Sequence, residues 1–185
     1  MSEREWLLFV SQLPASPSSL RVMVWRRMRT AGALGLQNGV WVFPRRKEHE
    51  RFLQELLGSV ASQEGSAQIF IAHAVDEKVE ADITARFQAD RSQEYQEFAE
   101  QCASLREEID KETRKKKFTF PELEENEDNL ERLTQWLAKI SSRDFFPGDT
   151  AASASAALEG CRKALASFAD RVYSHEGVEA HDEKK

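Results

Sequence analysis

Apolar positions along the first seventy-five residues change period several times. Residues 5–13 (EWLLFVSQL) form a short apolar run in which Leu7, Leu8, Phe9 and Val10 leave no polar face, and Pro14 and Pro17 close it. A run of that length without alternation predicts a central strand. Leu20, Met23, Val24, Met28 and Ala31 then recur at helical spacing. The pattern predicts a helix capped by Ser16, with Pro17 at its first position and Gly32 at its end. Two short apolar runs flank Gln37-Asn38-Gly39. Asn-Gly between such runs predicts a hairpin with a type I′ turn. Pro44 stops the second strand. Arg45–Ser62 reads as a helix with Phe52, Leu53, Leu56, Leu57 and Val60 inward, and Ser66–Ala74 (SAQIFIAHA) as a last strand.

The order β-α-β-β-α-β over some seventy residues is that of a ferredoxin-like unit, a four-stranded antiparallel sheet with both helices on one face. After Asp76 there is no further strand signal. A long helix runs from Glu77 or Ile83 to Arg114, striped by Phe87, Phe98, Cys102, Leu105 and Ile109. A second begins at Pro121 and carries Leu130, Leu133, Leu137 and Ile140. Phe145-Phe146-Pro147-Gly148 reads as a turn. Asp149 is then expected to cap a third helix with Ala154, Leu158, Cys161, Leu165, Phe168 and Val172 in one seam. Narrow seams of this kind predict an antiparallel bundle or hairpin rather than an independent globular core. The expected organisation is an α+β protein: a ferredoxin-like domain over residues 1–76, an all-helical extension of about three long helices over 77–176, and a polar, disordered tail over 177–185.

Composition alters this picture little. Of 185 residues, 41% are hydrophobic and 31% charged, the profile of a soluble globular chain. The longest apolar runs are strand-length, so no membrane partner is expected. Charges in MSEREWLL stand where a secretory leader has its apolar segment, which predicts a cytoplasmic protein. Cys102 and Cys161 are expected as reduced, core-facing thiols, with a disulfide or redox switch as the alternative. With four histidines scattered and no paired-cysteine or HxxxH spacing, neither a zinc site nor any other cofactor is implied.

Charge distribution matters more. The first 52 residues hold nine basic side chains against four acidic ones, while the rest carry 17 against 28, which together give the net −6. An acidic protein with one basic region is not a non-specific nucleic-acid coat, yet that region suits a phosphate backbone. Candidate DNA-contacting residues are Arg21, Arg26, Arg27 and Arg29 on the first helix, whose forked guanidinium groups fit phosphate well, and Arg45, Arg46 and Lys47 at the start of the second. Cations at a helix N-terminus oppose the dipole, so stability alone would not select them there. The simpler alternative is a solvated arginine face with Trp25 packed in the core; otherwise Trp25 stacks between the arginines.

Other clusters have simpler explanations. Lys115–Lys117 end a helix, where the dipole favours cations; the acidic run Glu122–Glu131 begins one, where it favours carboxylates. His73 reads as a core or edge residue. No GxGxxG, GxxxxGK[ST], GxSxG or HExxH occurs, so nucleotide-dependent enzymes and common hydrolases lack their signatures.

Three stretches resemble a known family. W-L-L-F-V-x-Q-L-P, S-x-L-R-x-x-x-W-R-R-M-R-x-x-G-A and L-x-x-G-V-W-V-F-P are similar to the N-terminal domain of ChrB, the chromate-resistance regulator. The similarity extends through E-Y-Q-E-F and F-T-F-P-E-L-E-E-N-E-x-x-L-E-R-L-x-x-W-L-x-K-I-x-x-R-D-F-F, to span roughly residues 5–172. The resemblance implies a non-enzymatic bacterial regulator that binds the promoter of a chromate-resistance operon and releases it on sensing chromate. It implicates first-helix arginines in DNA contact, at positions matching Arg21 and Arg26. Sensing is attributed in that family to a second domain, which this chain, ending at Lys185, is read as lacking. Alternative readings are an oxyanion-binding module for chromate or sulfate, and an interaction module that pairs with a separate ChrB C-terminal domain or forms a homodimer. The first seventy residues also resemble the central domain of PaaX-type repressors and the small nucleases of CRISPR adaptation. Those nucleases place a metal-binding aspartate at the end of the first strand. Here that position reads Val10-Ser11-Gln12, so metal-dependent hydrolysis is not expected.

Overall fold

The computed structural model describes residues 4–16 and 18–177. Nine elements follow one another: β1 (Glu5–Gln12), α1 (Ser19–Ala31), β2 (Leu34–Gln37), β3 (Val40–Pro44), α2 (Lys47–Ala61), β4 (Ser66–His73), α3 (Glu77–Arg114), α4 (Phe120–Ser142) and α5 (Asp149–His175). The protein is α+β, with an antiparallel four-stranded sheet followed by a helical C-terminal part. Two compact units divide it. One comprises residues 1–89 together with 143–146; the other comprises 90–142 and 147–185.

In the first unit the strand order is β2-β3-β1-β4. β1 lies inside the sheet, antiparallel to β3 through Leu7↔Phe43 and Phe9↔Trp41 and to β4 through Leu7↔Ile71. Alternation along β1 puts Leu7 and Phe9 on one face and Trp6 and Leu8 on the other. Against the Phe43 face sit Leu20, Val24 and Met28 of α1 and Leu53, Leu56 and Val60 of α2, all buried in one apolar cluster. Arg27 joins the two helices, donating to Ser59 Oγ at 3.0 Å and lying over the Phe52 ring. Trp6, on the opposite face, stacks on Phe87 with ring centroids 6.0 Å apart and meets Phe146 at 5.9 Å.

Several local expectations are corrected. The first helix starts at Ser19 with Ser18 at its N-cap, not Ser16. Pro17 lies outside the described residues. Gly32 does end the helix: at φ 85° its N–H donates to Arg29 O, and Ala33 N–H reaches Met28 O. The β2–β3 turn is not type I′, because only Gly39 (φ 77°) has positive φ and Asn38 does not. A register shift between Gly35 and Gln37 absorbs the difference. Such a bulge lets a tight turn match strand twist without a second left-handed residue. The second helix begins at Lys47, with Arg45 before it and Arg46, in extended conformation, at its N-cap. Asp149 is the first residue of α5, with Gly148 at the N-cap.

The second unit has a hydrophobic core of its own, contrary to the expectation of narrow seams alone. Phe98, Cys102 and Ile109 of α3, Leu123 and Ile140 of α4, and Leu158, Cys161, Phe168 and Val172 of α5 form one buried cluster. α4 and α5 pack along each other. Phe98 meets Trp136 edge-on at 5.5 Å. Most of the expected polar tail, residues 178–185, lies outside the described residues. Among the described residues no helix is long and apolar enough to cross a membrane.

Candidate nucleic-acid interface

α1 supplies the first part of the site. Its thirteen residues, SLRVMVWRRMRTA, hold four arginines and no carboxylate, and no side chain caps its first turn. Burial of Leu20, Val24 and Met28 fixes the helix orientation, so Arg21, Trp25, Arg26 and Arg29 point outward. Arg21, Arg26 and Arg29 are exposed. Arg21 is tethered by a 2.7 Å bond from Nη2 to the Ala15 carbonyl, which leaves its remaining donors available. Arg26 makes no ion pair or hydrogen bond with a described residue. Arg27 differs: it is half-buried and committed to Ser59 and Phe52.

The α2 corner is electrostatically different. Arg45 Nε donates to Glu50 Oε1 at 2.6 Å and Nη1 to Glu5 Oε2 at 2.9 Å. Those two carboxylates hold its pKa above the usual guanidinium value, led by the Glu50 hydrogen bond. Arg46 lies over the Phe145 ring at 5.0 Å and 3.6 Å from Glu48. Lys47 is exposed. Glu48 and Glu50 fill the first turn of α2, so the cations that seemed misplaced sit among acids that offset them. The seven candidate side chains therefore divide: Arg21, Arg26 and Arg29 are exposed on α1, Arg27 is half-buried against Ser59 and Phe52, Arg45 and Arg46 are paired with carboxylates, and Lys47 is exposed.

Sequence reasoning missed a groove beside α1. Its walls are the end of β1, α1, and the β2–β3 hairpin, and its volume is about 830 Å³. Arg21, Trp25, Trp41, Gln12, Gln37 and Asn38 contribute to the lining, in which Arg21 is the one charged residue. Trp25 is 55% exposed rather than packed in the core. The Trp41 ring lies over Gly35, 3.5 Å from the position a Cβ there would occupy, an ordinary contact distance. Helical spacing of four puts Arg21 and Trp25 on one side of α1; that was the available signal.

The remaining titratable groups are accounted for by packing. His49, which the sequence reading passed over, is buried between Phe43 and Phe145, each 4.6 Å away, and its Nδ1–H donates to Pro44 O at 2.7 Å. Burial lowers its pKa. His73 is exposed on β4, 3.9 Å from Glu5. In the second unit Asn126 Nδ2 donates to the buried Glu112 at 2.7 Å and to Glu122 O. Burial, with Glu122 beside it, pushes Glu112 up to about 7. Glu122 is held low by that shared hydrogen bond and by Lys117 at 2.9 Å. The rest of the acidic run, including Glu124, Glu125, Glu127, Asp128 and Glu131, faces solvent. Among the described residues no three His, Cys, Asp or Glu side chains are grouped to hold a metal ion.

Comparison with known proteins agrees with the resemblance read from the motifs. The family described as "Protein ChrB, N-terminal" matches residues 21–179, beginning within α1 and including all of α5. Protein ChrB of Cupriavidus metallidurans is 36% identical over 104 residues, which is 56% of this chain and 32% of that protein. The chain thus spans about a third of the length of the relative it matches. With a family match over far more than half its residues, the chain belongs to the ChrB N-terminal family.

Proposed function

We propose that this chain is a cytoplasmic, non-enzymatic DNA-binding regulator of a chromate-resistance operon, and that its N-terminal unit is ferredoxin-like. The order β2-β3-β1-β4, with α1 and α2 as the crossovers of two interleaved βαβ units, supports the fold. A single observation carries the function: α1 displays Arg21, Arg26 and Arg29 to solvent on a helix with no acidic residue, within a protein of net charge −6. On this reading the exposed arginines, Arg21 and Arg26 first, anchor phosphates and set the position of the protein on the duplex, with few base contacts.

The test is fluorescence anisotropy of the chain with the promoter DNA of its own operon, across a salt series. Binding should weaken linearly in log–log form, with a slope near the number of phosphates displaced. The double variant Arg21→Ala/Arg26→Ala should lose most of the affinity and part of the slope, while Arg45→Ala, whose donors are already taken by Glu5 and Glu50, should change little. Absence of binding at low salt, or an unaffected double variant, refutes the proposal. Calorimetry with chromate and sulfate separates it from the oxyanion-binding alternative, which requires tight anion binding without DNA.

A further inference from the structure

We infer that the groove between α1 and the β2–β3 hairpin is a nucleotide pocket: it takes an unpaired base stacked on Trp25, with the attached phosphate on Arg21. The inference rests on the nucleic-acid reading above and specifies the form of the ligand. Four observations, three on α1 and one on the β1 and hairpin walls, converge. Trp25 lines the groove and is 55% exposed instead of buried, and an indole left open beside a cation offers a stacking surface for a planar ring. Arg21 is the one charged residue of the lining, so the groove attracts an anion and presents no carboxylate to repel it. Its orientation is set by the bond to Ala15 O. Gln12, Gln37 and Asn38 place amide groups along the β1 and hairpin walls, and amides offer both a donor and an acceptor to the edge of a base.

Size and openness favour this ligand over a duplex. About 830 Å³ is room for a nucleotide and its neighbours, whereas a base paired in a helix cannot present its ring face to Trp25. The ligand chemistry is a planar heterocycle carrying a phosphate. A single-stranded segment and a free nucleotide both satisfy it, and the experiment separates them.

The 185-residue chain would be titrated with a fluorescein-labelled single-stranded 12-mer, with the duplex of the same sequence, and with deoxynucleoside monophosphates, reading anisotropy and tryptophan emission. The expected result is single-strand binding with quenched emission, weakened about tenfold or more in Trp25→Ala and in Arg21→Ala, and largely restored in Trp25→Phe. Circular dichroism should show each variant folded, since both side chains are exposed. Tight competition by a monophosphate would assign the pocket to a free nucleotide; weak competition assigns it to a strand. Duplex binding that depends on Arg26, with no single-strand or monophosphate binding, overturns the pocket and leaves the regulator intact. Single-strand binding that depends on Trp25, without promoter binding, overturns the regulator and keeps the pocket. Single-strand binding unaffected by Trp25→Ala also overturns it.

Discussion

Cys161 Sγ donates to the backbone carbonyl of Cys102 at 3.3 Å, bringing together α5 and α3 across 59 residues of sequence. Both thiols are free and buried. Burial pushes Cys102 up to about 12 and raises Cys161 as well. A thiol reacts as its thiolate, so neither cysteine should react with Ellman's reagent in the native protein at pH 8. Two equivalents should appear once denaturant is added. Rapid release of either equivalent from the native chain would contradict this burial.

Gly32→Ala should be strongly damaging. Its φ of 85° costs an alanine about 1–2 kcal/mol. In addition, a Cβ there would stand 2.6 Å from Arg143 Cβ and 3.0 Å from Arg143 O. Gly58→Ala, inside α2 with open space around it, should instead stabilise by about 0.5–1 kcal/mol through helix propensity. Thermal melts of the two variants should therefore move in opposite directions.

His49 makes the first unit acid-sensitive. Its folded pKa lies below 6.5 because the ring is buried between aromatic rings, although the Pro44 hydrogen bond and Glu48 oppose the shift. The unfolded chain takes up the proton first as pH falls, so the stability that His49 contributes is present above about pH 6.5 and is lost below it. His49→Asn keeps a donor for Pro44 O. It should flatten the fall in stability between pH 7 and pH 5, at a cost of roughly 1 kcal/mol at neutral pH from lost ring packing. An unchanged pH profile would rule His49 out as the cause.

Glu112 works in the opposite sense. Its folded pKa of about 7 exceeds the ordinary carboxylate value because the side chain is buried and shares a hydrogen bond with Glu122. The native state holds a proton that the unfolded chain releases, so stability from this group falls as pH rises from about 4.5 to about 7. Glu112→Gln keeps a neutral hydrogen-bonding side chain. It should raise the melting temperature at pH 8, by about 1 kcal/mol of stability, and change it little at pH 5. Equal effects at both values would show that Glu112 does not change protonation state between them.

Local pattern carried far in this chain. The strand and helix order, the outward arginines of α1 and the buried stripes of α3 and α5 all follow from spacings within a few residues, because burial imposes a period on each element. What was hidden depends on residues distant in sequence. Trp25 reads equally as core or surface until the β2–β3 hairpin is placed opposite it. Arg45 looks like a free cation until Glu5, forty residues away, turns out to pair with it. Asn38-Gly39 specified a tight turn correctly, but its type was set by the bulge at Gly35–Gln37, where pairing with β3 fixed the register. Glu112 and Asn126 each sit in highly charged stretches, and only their burial against one another distinguishes them from solvated neighbours.

The first unit is discontinuous: after Ala89 the chain leaves it and comes back for four residues, Arg143–Phe146. Phe145 and Phe146 read as turn residues, yet they complete an aromatic cluster with Trp6, Phe43, His49 and Phe87. This sequence therefore does not divide into modules by a single cut. A fragment ending at Ala89 would keep every strand and both sheet-packed helices but bare the ring faces that those two phenylalanines cover. It would be a sticky, partly open domain, and any shuffling of the N-terminal unit onto another protein would have to carry a surrogate for that returning pair.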